Sequence, residues 1–349
     1  MYFSRQIIQW YYKNQRKLPW RETHDPYIIW LSEIILQQTR VNQGMPYFYK
    51  FVEHYPNIES FASAPEEEIL RHWQGLGYYS RARNMLKAAK LIMQEHGGIF
   101  PSRYQVLIKL PGIGEYTASA IASFSINEPK AVVDGNVSRV LARHFGIEEP
   151  INSTKGKKDF NILAQDVLDK ENPGIHNQAM MEFGALQCKP QNPDCETCPL
   201  QQSCFAYQNN LVNKLPIKIK AGKSRNRYFN YFVLRKEEKI LMQRRQKGDI
   251  WEGLFELPLI ESTFLLSDEE LKLSEEFIKL FGKQAEIIYS SAITKHILSH
   301  QNIYARFFEI TNIKENVFKN KDWDYVLIKD LDKLAKSKLM FSFMDVYFN

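Results

Sequence analysis

The chain has 349 residues, of which 44% are hydrophobic and 25% charged, and its formal net charge is +6 at pH 7. This composition excludes a disordered or fibrous protein, and the length predicts two globular domains. No apolar run is long enough to span a membrane and no signal peptide opens the chain, so we expect an intracellular protein without a membrane partner. The mild positive charge permits a polyanionic partner but is also common in proteins that bind none.

Residues 1–208 have the pattern of an all-α domain, with apolar-periodic stretches divided by short Gly/Pro loops. Start and stop signals predict helices at 26–40, 65–73, 80–96, 102–110, 115–125, 137–145 and 157–170. The first of these helices begins with Asp25 as N-cap and Pro26 at the first helical position.

Glu33 lies in the middle of that first helix, which is apolar over most of its circumference and must therefore be buried. Burial should raise the pKa of the Glu33 carboxyl and favour its protonated form, as a general acid requires. A carboxylate tied to a core arginine or a helix end is the commoner use of such a residue and stays open on this pattern alone.

The segment 110–118 joins two helices through a Pro-Gly-Ile-Gly turn. Gly112 and Gly114 let backbone N–H groups face outward at a helix start, where they attract phosphate. An ordinary turn between two helices would also need a glycine, so the motif alone does not decide.

Asp134 comes directly before a helix in the run Val133-Asp134-Gly135-Asn136. Plain N-capping explains it, and the backbone donors there should keep the carboxyl ionised. Together with a protonated Glu33, however, it supplies the two carboxyl states that break a glycosidic bond through an oxocarbenium-like transition state.

The cysteines are confined to one short segment, with spacing C-x6-C-x2-C-x5-C, at Cys188, Cys195, Cys198 and Cys204. This clustering predicts a shared metal centre, either a [4Fe-4S] cluster or structural zinc. A zinc site more often shows two close C-x2-C pairs, and a disulfide framework does not suit a long chain with a large core.

Residues 209–224 are predicted to be a basic linker, and the basic run continues to Arg227. It is either an arm that follows phosphates or a solvated connector. From residue 225 to 349 the pattern changes to strands and turns, which predicts a separate α+β domain.

Taken together, the motifs at 30–39, 110–118 and 133–137 and the cysteine spacing resemble the helix-hairpin-helix DNA glycosylases that carry an iron-sulfur cluster. Within that superfamily the chain is similar to the adenine DNA glycosylase (MutY) family, which removes adenine mispaired with 8-oxoguanine. The C-terminal domain, through 249–258 and 295–300, looks like that family's Nudix-like 8-oxoguanine-reading domain, although it lacks a Nudix catalytic box. The resemblance implies a [4Fe-4S] cluster on the four cysteines.

The resemblance also implies roles for individual residues. Glu33 would protonate N7 of the extruded adenine, Asp134 would stabilise the C1′ cation, and Tyr116 and Asn136 would support them. Tyr116 occupies the place of a Schiff-base lysine in the endonuclease III-like branch, so a monofunctional enzyme without lyase activity is implied. The residues implied to surround the extruded base are Trp20, Arg21, Leu36 and Glu182.

The implied DNA contacts come from several segments. Gln38 and Tyr78 match positions that fill the hole left by the base; without the resemblance, Tyr78 and Tyr79 would be ordinary aromatics at a helix entry. Leu298 stands where a phenylalanine is common, a substitution that keeps a hydrophobic wedge but removes the aromatic ring that would stack. The full implied set is Gln37, Gln38, Thr39, Tyr78, Gly112, Ile113, Gly114, Leu298, Ser299 and His300.

The expected protein is therefore a monomeric base excision repair enzyme acting on double-stranded DNA with A:8-oxoG or A:G mispairs, in the cytoplasm and on the bacterial nucleoid. One alternative is a related glycosylase for thymine opposite guanine, which the C-terminal domain disfavours. Another is a non-catalytic iron-sulfur damage sensor or electron carrier, which the presence of both Glu33 and Asp134 disfavours.

Overall fold

The computed structural model describes residues 2–220, 222, 224–314 and 323–348. The chain forms two compact units: Met1–Ala64 with Asn84–Lys220, and Pro65–Arg83 with Ala221–Asn349. The division near residue 220 lies inside the predicted linker. Pro65–Arg83, placed in the helical domain by the sequence, instead belongs to the second unit, because Arg244 pairs with Glu67 at 2.7 Å and the Tyr79 hydroxyl donates to the Lys336 carbonyl.

The chain up to residue 208 is helical, as predicted. Its helices are α1 (Tyr2–Asn14), α2 (Pro26–Ile35), α3 (Val41–His54), α4 (Ile58–Ser63), α5 (Glu66–His72), α6 (Ser80–Glu95), α7 (Tyr104–Leu107), α8 (Glu115–Ile126), α9 (Gly135–Phe145), α10 (Thr154–Val167), α11 (Pro173–Leu186) and α12 (Phe205–Gln208). Short 3₁₀ turns lie at Pro19–Arg21 and Gln201–Ser203.

The start of α2 follows its sequence signals, but its end does not. The Asp25 side chain accepts a hydrogen bond from the Tyr27 amide at 2.9 Å, as an N-cap should. The helix was predicted to reach residue 40 and ends at Ile35, because the following residues form a turn in which Gln38 has a φ of 56°. A left-handed residue cannot continue a right-handed helix.

Helix α11, which the sequence signals did not predict, packs against α1, α8 and α9. Pro173 occupies its first turn, and its core-facing side chains include Ala179, Met180 and Phe183. These join Ile7 of α1 in one apolar cluster. The packing fixes the direction in which Glu182, on the same helix, points.

The second unit contains two sheets. Its strands are β1 (Arg225–Val233), β2 (Arg235–Lys236), β3 (Lys239–Arg244), β4 (Phe255–Glu256), β5 (Leu259–Ser262), β6 (Glu286–Ser290), β7 (Thr294–Ile297), β8 (Gln301–Thr311) and β9 (Trp323–Leu327). The larger sheet has the order β5-β1-β8-β6, with β7 also on β8; β1 and β8 are parallel, and the other pairs are antiparallel. In the smaller sheet, β3 pairs with β2, β4 and β9.

Apolar clusters on β1, β3 and β8 form the core of this unit, with Phe229, Phe232 and Phe308 fully buried. Helices α13 (Asp268–Leu273), α14 (Glu275–Phe281) and α15 (Lys338–Phe348) contribute further core side chains. The predicted α+β architecture is confirmed. Within the described part of the chain, no helix has the length and apolar character that crossing a membrane requires.

Candidate active site

A cavity of about 800 Å³ lies in the first unit, where α2, α8 and α11 meet the start of α9. The structure brings together there every residue predicted for catalysis and for the base pocket, although they come from five separate stretches of sequence. The cavity is also lined by the turn after α2. The predicted residues on its wall are Trp20, Arg21, Glu33, Leu36, Gln37, Gln38, Thr39, Tyr116, Asp134, Asn136 and Glu182.

Glu33 is held on α2 with only 7% of its surface exposed. Burial raises the pKa of its carboxyl to about 7, and the nearby Asp134 charge adds to the rise. A hydrogen bond with the Tyr116 phenol and the charge of Arg21 act in the opposite direction. The carboxyl can therefore carry a proton at neutral pH.

Asp134 caps α9 and accepts three hydrogen bonds. They come from the Asn136 amide at 2.8 Å, the Val137 amide at 2.7 Å and the Asn136 side-chain amide at 2.8 Å. Burial nevertheless raises the pKa of Asp134, because desolvation outweighs these bonds. The three donors still orient the carboxyl and favour its anion.

Tyr116 connects the two carboxyls. Burial, followed by the Glu33 and Asp134 charges, raises the pKa of its phenol well above the usual range, so the phenol stays neutral and can donate to Glu33. Its oxygen lies 4.0 Å from the Met181 sulfur on α11. No amine occupies this place.

Glu182 is a fixed anion. Burial pushes its pKa up, but hydrogen bonds from Arg16 and Arg21 prevail and lower the pKa to about 2. The bonds are 2.8 and 2.6 Å from the Arg16 guanidinium, 2.9 Å from its amide and 2.9 Å from Arg21. Sequence reasoning missed Arg16, and the only available signal was its proximity to Trp20 and Arg21 in the chain.

In the hairpin between α7 and α8, Gly112 and Gly114 are both exposed. Gly112 has a φ of 77°, and a Cβ there would lie 2.7 Å from the Asn84 Cβ, so only glycine fits. Gly114 is the N-cap of α8 and provides no side-chain cap. Ile113 is 5% exposed, so its side chain anchors the turn, and its amide donates to the Leu110 carbonyl at 3.2 Å.

The predicted residues of the second unit surround a separate pocket of about 460 Å³. Tyr78, Leu298, Ser299 and His300 line it, and the Tyr78 hydroxyl shares a hydrogen bond with the Ser299 hydroxyl. Tyr78 is 45% exposed and has a φ of 47°. Leu298 is half-buried against the core and forms part of the pocket wall.

Comparison with known proteins decides the family. Residues 31–165 match the model of the HhH-GPD superfamily base excision DNA repair protein, 188–204 the iron-sulfur binding domain of endonuclease III, and 230–345 the NUDIX domain. The adenine DNA glycosylase of Buchnera aphidicola subsp. Baizongia pistaciae is 37% identical over 92% of this chain and 89% of its own length. The chain belongs to the adenine DNA glycosylase family.

The predicted resemblance is thus confirmed, and with it a DNA glycosylase of base excision repair. The mouse adenine DNA glycosylase is 41% identical over 59% of this chain and 42% of its own length. Among solved structures, a thermostable thymine-DNA glycosylase matches with a TM-score of 0.56 and 29% identity, covering 59% of this chain and 95% of its own.

The family model over 188–204 confirms the expected [4Fe-4S] cofactor. The thiols interact electrostatically with one another, and the Arg143 guanidinium lies 3.4 Å from the Cys188 sulfur. Backbone amides point at two of them, as second-shell donors do around clusters. Across the described ranges, no group of three or more His, Cys, Asp or Glu side chains is arranged to hold a single metal ion. The fit of this segment to a [4Fe-4S] cluster therefore rests on the four thiols and the donors around them.

Burial makes these thiols poor anions by themselves. It raises the pKa of Cys198 to about 12 and also raises the pKa of Cys195 and of Cys204. Bound iron would have to displace the protons from these thiols. When bound, the cluster would tie the loop to the helices around it.

Proposed function

We propose that this protein hydrolyses the N-glycosidic bond of adenine in duplex DNA, where adenine is mispaired with 8-oxoguanine or, more slowly, with guanine. The observation that carries the proposal is one cavity in which a carboxyl with a pKa of about 7, Glu33, faces a carboxyl with three anion-favouring donors, Asp134. Its volume of about 800 Å³ accommodates a nucleoside that has left the base stack.

In this proposal Glu33 donates its proton to N7 of adenine, which makes the base a better leaving group. As the C1′–N9 bond breaks, the Asp134 anion stabilises the positive charge on the sugar, and water completes the hydrolysis. Asn136 keeps Asp134 oriented. The Tyr116 phenol, which bonds Glu33, holds the acid in place.

The walls of the cavity support recognition of an extruded base. Glu182, fixed by Arg16 and Arg21, offers a rigid anionic edge, and Trp20 and Leu36 offer apolar faces. Gln38 and Tyr78 are the candidates for filling the gap in the duplex, since both are exposed and held in the left-handed region. Strained exposed residues are typical of such contacts.

The second unit would read the base opposite adenine. Ser299 and His300 are exposed on a turn beside Tyr78, and Leu298 packs beneath them. These side chains offer hydrogen-bonding groups above an apolar floor, which suits a purine edge. Action as a monomer and an intracellular location on DNA remain predictions from the sequence.

The Glu33→Gln variant tests the proposal. Loss of the transferable proton should lower single-turnover adenine release by about 10²–10⁴-fold while binding of the A:8-oxoG duplex is retained. The exposed Glu22→Gln variant, on the turn before α2, is the matched control and should behave as wild type. Normal release by Glu33→Gln would refute the proposed mechanism.

A second candidate, thymine opposite guanine, is favoured by the similarity to the thymine-DNA glycosylase structure. Against it stands the NUDIX-type unit at 230–345, whose pocket, in our proposal, reads the base opposite adenine. A competition between A:8-oxoG and T:G duplexes in one reaction separates the candidates, because the proposed enzyme should release adenine and leave thymine in place.

A further inference from the structure

Two buried arginines of the second unit share one carboxylate. Arg227 on β1 and Arg245, just after β3, are each 8% exposed. Arg227 donates to both Asp249 oxygens at 2.6 and 2.7 Å, and Arg245 donates to Asp249 at 2.5 Å. Asp249 is therefore the point where the two arginines meet.

Each arginine also has a carboxylate partner besides Asp249. Glu261 accepts from Arg227 at 2.7 and 2.6 Å, and Glu256 accepts from Arg245 at 3.0 and 2.9 Å. Loss of the Asp249 charge would leave both buried guanidiniums paired. The core of this unit therefore does not depend on Asp249 in the way that it depends on the arginines.

Asp249 anchors the loop that follows it. It accepts from the Ile250 amide at 2.7 Å, while the Arg245 side chain donates to the Ile250 carbonyl at 2.7 Å. The next residue, Trp251, has a φ of 59°, a costly conformation for a bulky side chain. Such a conformation persists only when its surroundings hold it.

Trp251 forms one wall of the 460 Å³ pocket that also contains Leu298 and Ser299. Its ring meets the His296 ring edge-on with centroids 5.6 Å apart, and the Arg245 guanidinium lies over the indole at 6.0 Å. The same arginine thus supports both the loop backbone and the ring.

We infer that Asp249 is a positioning residue that, through Arg227 and Arg245, fixes Trp251 as a wall of this pocket and so sets the preference for 8-oxoguanine over guanine opposite adenine. The inference rests on the proposed function. The two bases differ only at C8 and N7, so a pocket that separates them needs walls held to about 0.5 Å. A pocket in which Trp251 is no longer held in place would accept both bases.

The test compares Asp249→Asn with Glu261→Gln, each of which removes one carboxylate from Arg227. Only the first reaches the loop. Single-turnover adenine release is measured on A:8-oxoG and A:G duplexes. Asp249→Asn should reduce the rate ratio by about tenfold, or about 1.4 kcal/mol of discrimination, whereas Glu261→Gln should keep the wild-type ratio. An unchanged ratio in Asp249→Asn, or an equal loss in both variants, overturns the inference.

Failure of the proposed function is recognised separately, because wild-type protein would then show no preference between the two duplexes. Hydrogen exchange supplies a readout without DNA. The Leu254 amide, which donates to the Trp251 carbonyl at 3.0 Å, should exchange faster in Asp249→Asn and not in Glu261→Gln. If Asp249→Asn does not fold, Trp251→Phe replaces it. A full wild-type rate ratio in that variant would show that Trp251 does not set the preference for 8-oxoguanine over guanine.

Discussion

The protonated Glu33 carboxyl that the proposed mechanism requires also affects the stability of the fold. Its pKa is about 7 in the folded protein and 4.5 ordinarily, so the folded state binds more protons than the unfolded state between those values. The free energy of unfolding therefore falls as the pH rises from about 4.5 to about 7. Above pH 7 the buried charge costs about 3 kcal/mol.

We expect Glu33→Gln to be more stable than wild type at pH 8, by up to about 3 kcal/mol, and to lose most of that advantage at pH 4.5. Urea unfolding at both pH values measures the difference. Glu22→Gln, exposed at the surface, should show no such pH-dependent gain. A gain in Glu33→Gln that is equal at both pH values would mean that the carboxyl is not desolvated.

We propose that the residue at position 116 decides whether the strand is cut. An amine introduced by Tyr116→Lys would be buried beside Glu33 and Asp134. Burial favours its neutral, nucleophilic form, although the two carboxyls oppose this. We expect the variant to form a borohydride-trappable covalent complex with abasic DNA that wild-type protein does not form. Tyr116→Phe serves as the size control. If Tyr116→Lys forms no trapped complex, a side chain at position 116 does not reach C1′ of the sugar.

At the scale of elements, local sequence signals predicted where helices begin, but they did not predict contacts between residues far apart in the chain. Asp25 and Asp134 were readable as caps because a cap acts within three residues of itself. The burial that raises the pKa of Asp134, and the ion pair of Arg16 with Glu182, depend on α11 packing across the fold. Neither effect is encoded in local periodicity.

Helix α9 links the proposed catalytic Asp134 loop to the cysteine loop through one side chain. Arg139, 7% exposed, donates to the Asn136 side chain at 2.8 Å, the Gly184 carbonyl at 2.7 Å and the Cys188 carbonyl at 2.8 Å. A planar guanidinium reaches three acceptors in fixed directions, which no other side chain does. Its loss would leave buried acceptors unsatisfied.

We therefore expect Arg139→Gln to lower the free energy of unfolding by about 2–4 kcal/mol and to reduce both cluster content and adenine release. Iron absorbance per protein and single-turnover rates measure the two losses. Arg139→Lys keeps the charge but not the planar guanidinium, so it should recover only part of the lost stability, cluster content and adenine release. The exposed Arg5→Gln on α1 should match wild type. Full cluster occupancy in Arg139→Gln would show that cluster binding by the cysteine loop does not depend on this side chain of α9.

At the scale of the whole molecule, part of the predicted linker is hydrogen-bonded to the first unit. Ile217 and Ile219 are bound to the segment before α10, through the Ile151 amide at 3.0 Å and the Asn152 side chain at 2.9 Å. Arg227, counted in the basic run, is buried in ion pairs and cannot reach phosphate. What remains is a docked strip with exposed lysines.

One of these lysines, Lys218, lines a cavity of about 1090 Å³ together with Lys157 and Lys158 on α10. That cavity shares Tyr116 and Asp134 with the candidate active site, so a DNA strand entering the site would pass close to the three lysines. Exposed lysines that neutralise phosphates release counterions and make binding salt-dependent.

We expect replacement of Lys157, Lys158 and Lys218 by alanine to lower the slope of log affinity against log salt by about 3, since each phosphate contact contributes about 0.9. Anisotropy titrations of an undamaged duplex at several salt concentrations measure the slope. The matched control replaces three lysines that are exposed in the first unit and line neither cavity: Lys13, Lys87 and Lys90. Equal slopes for both triple variants would mean that the linker segment only connects the two units. A lower slope in the first variant alone would assign the path of the DNA phosphates to the α10 side of Asp134.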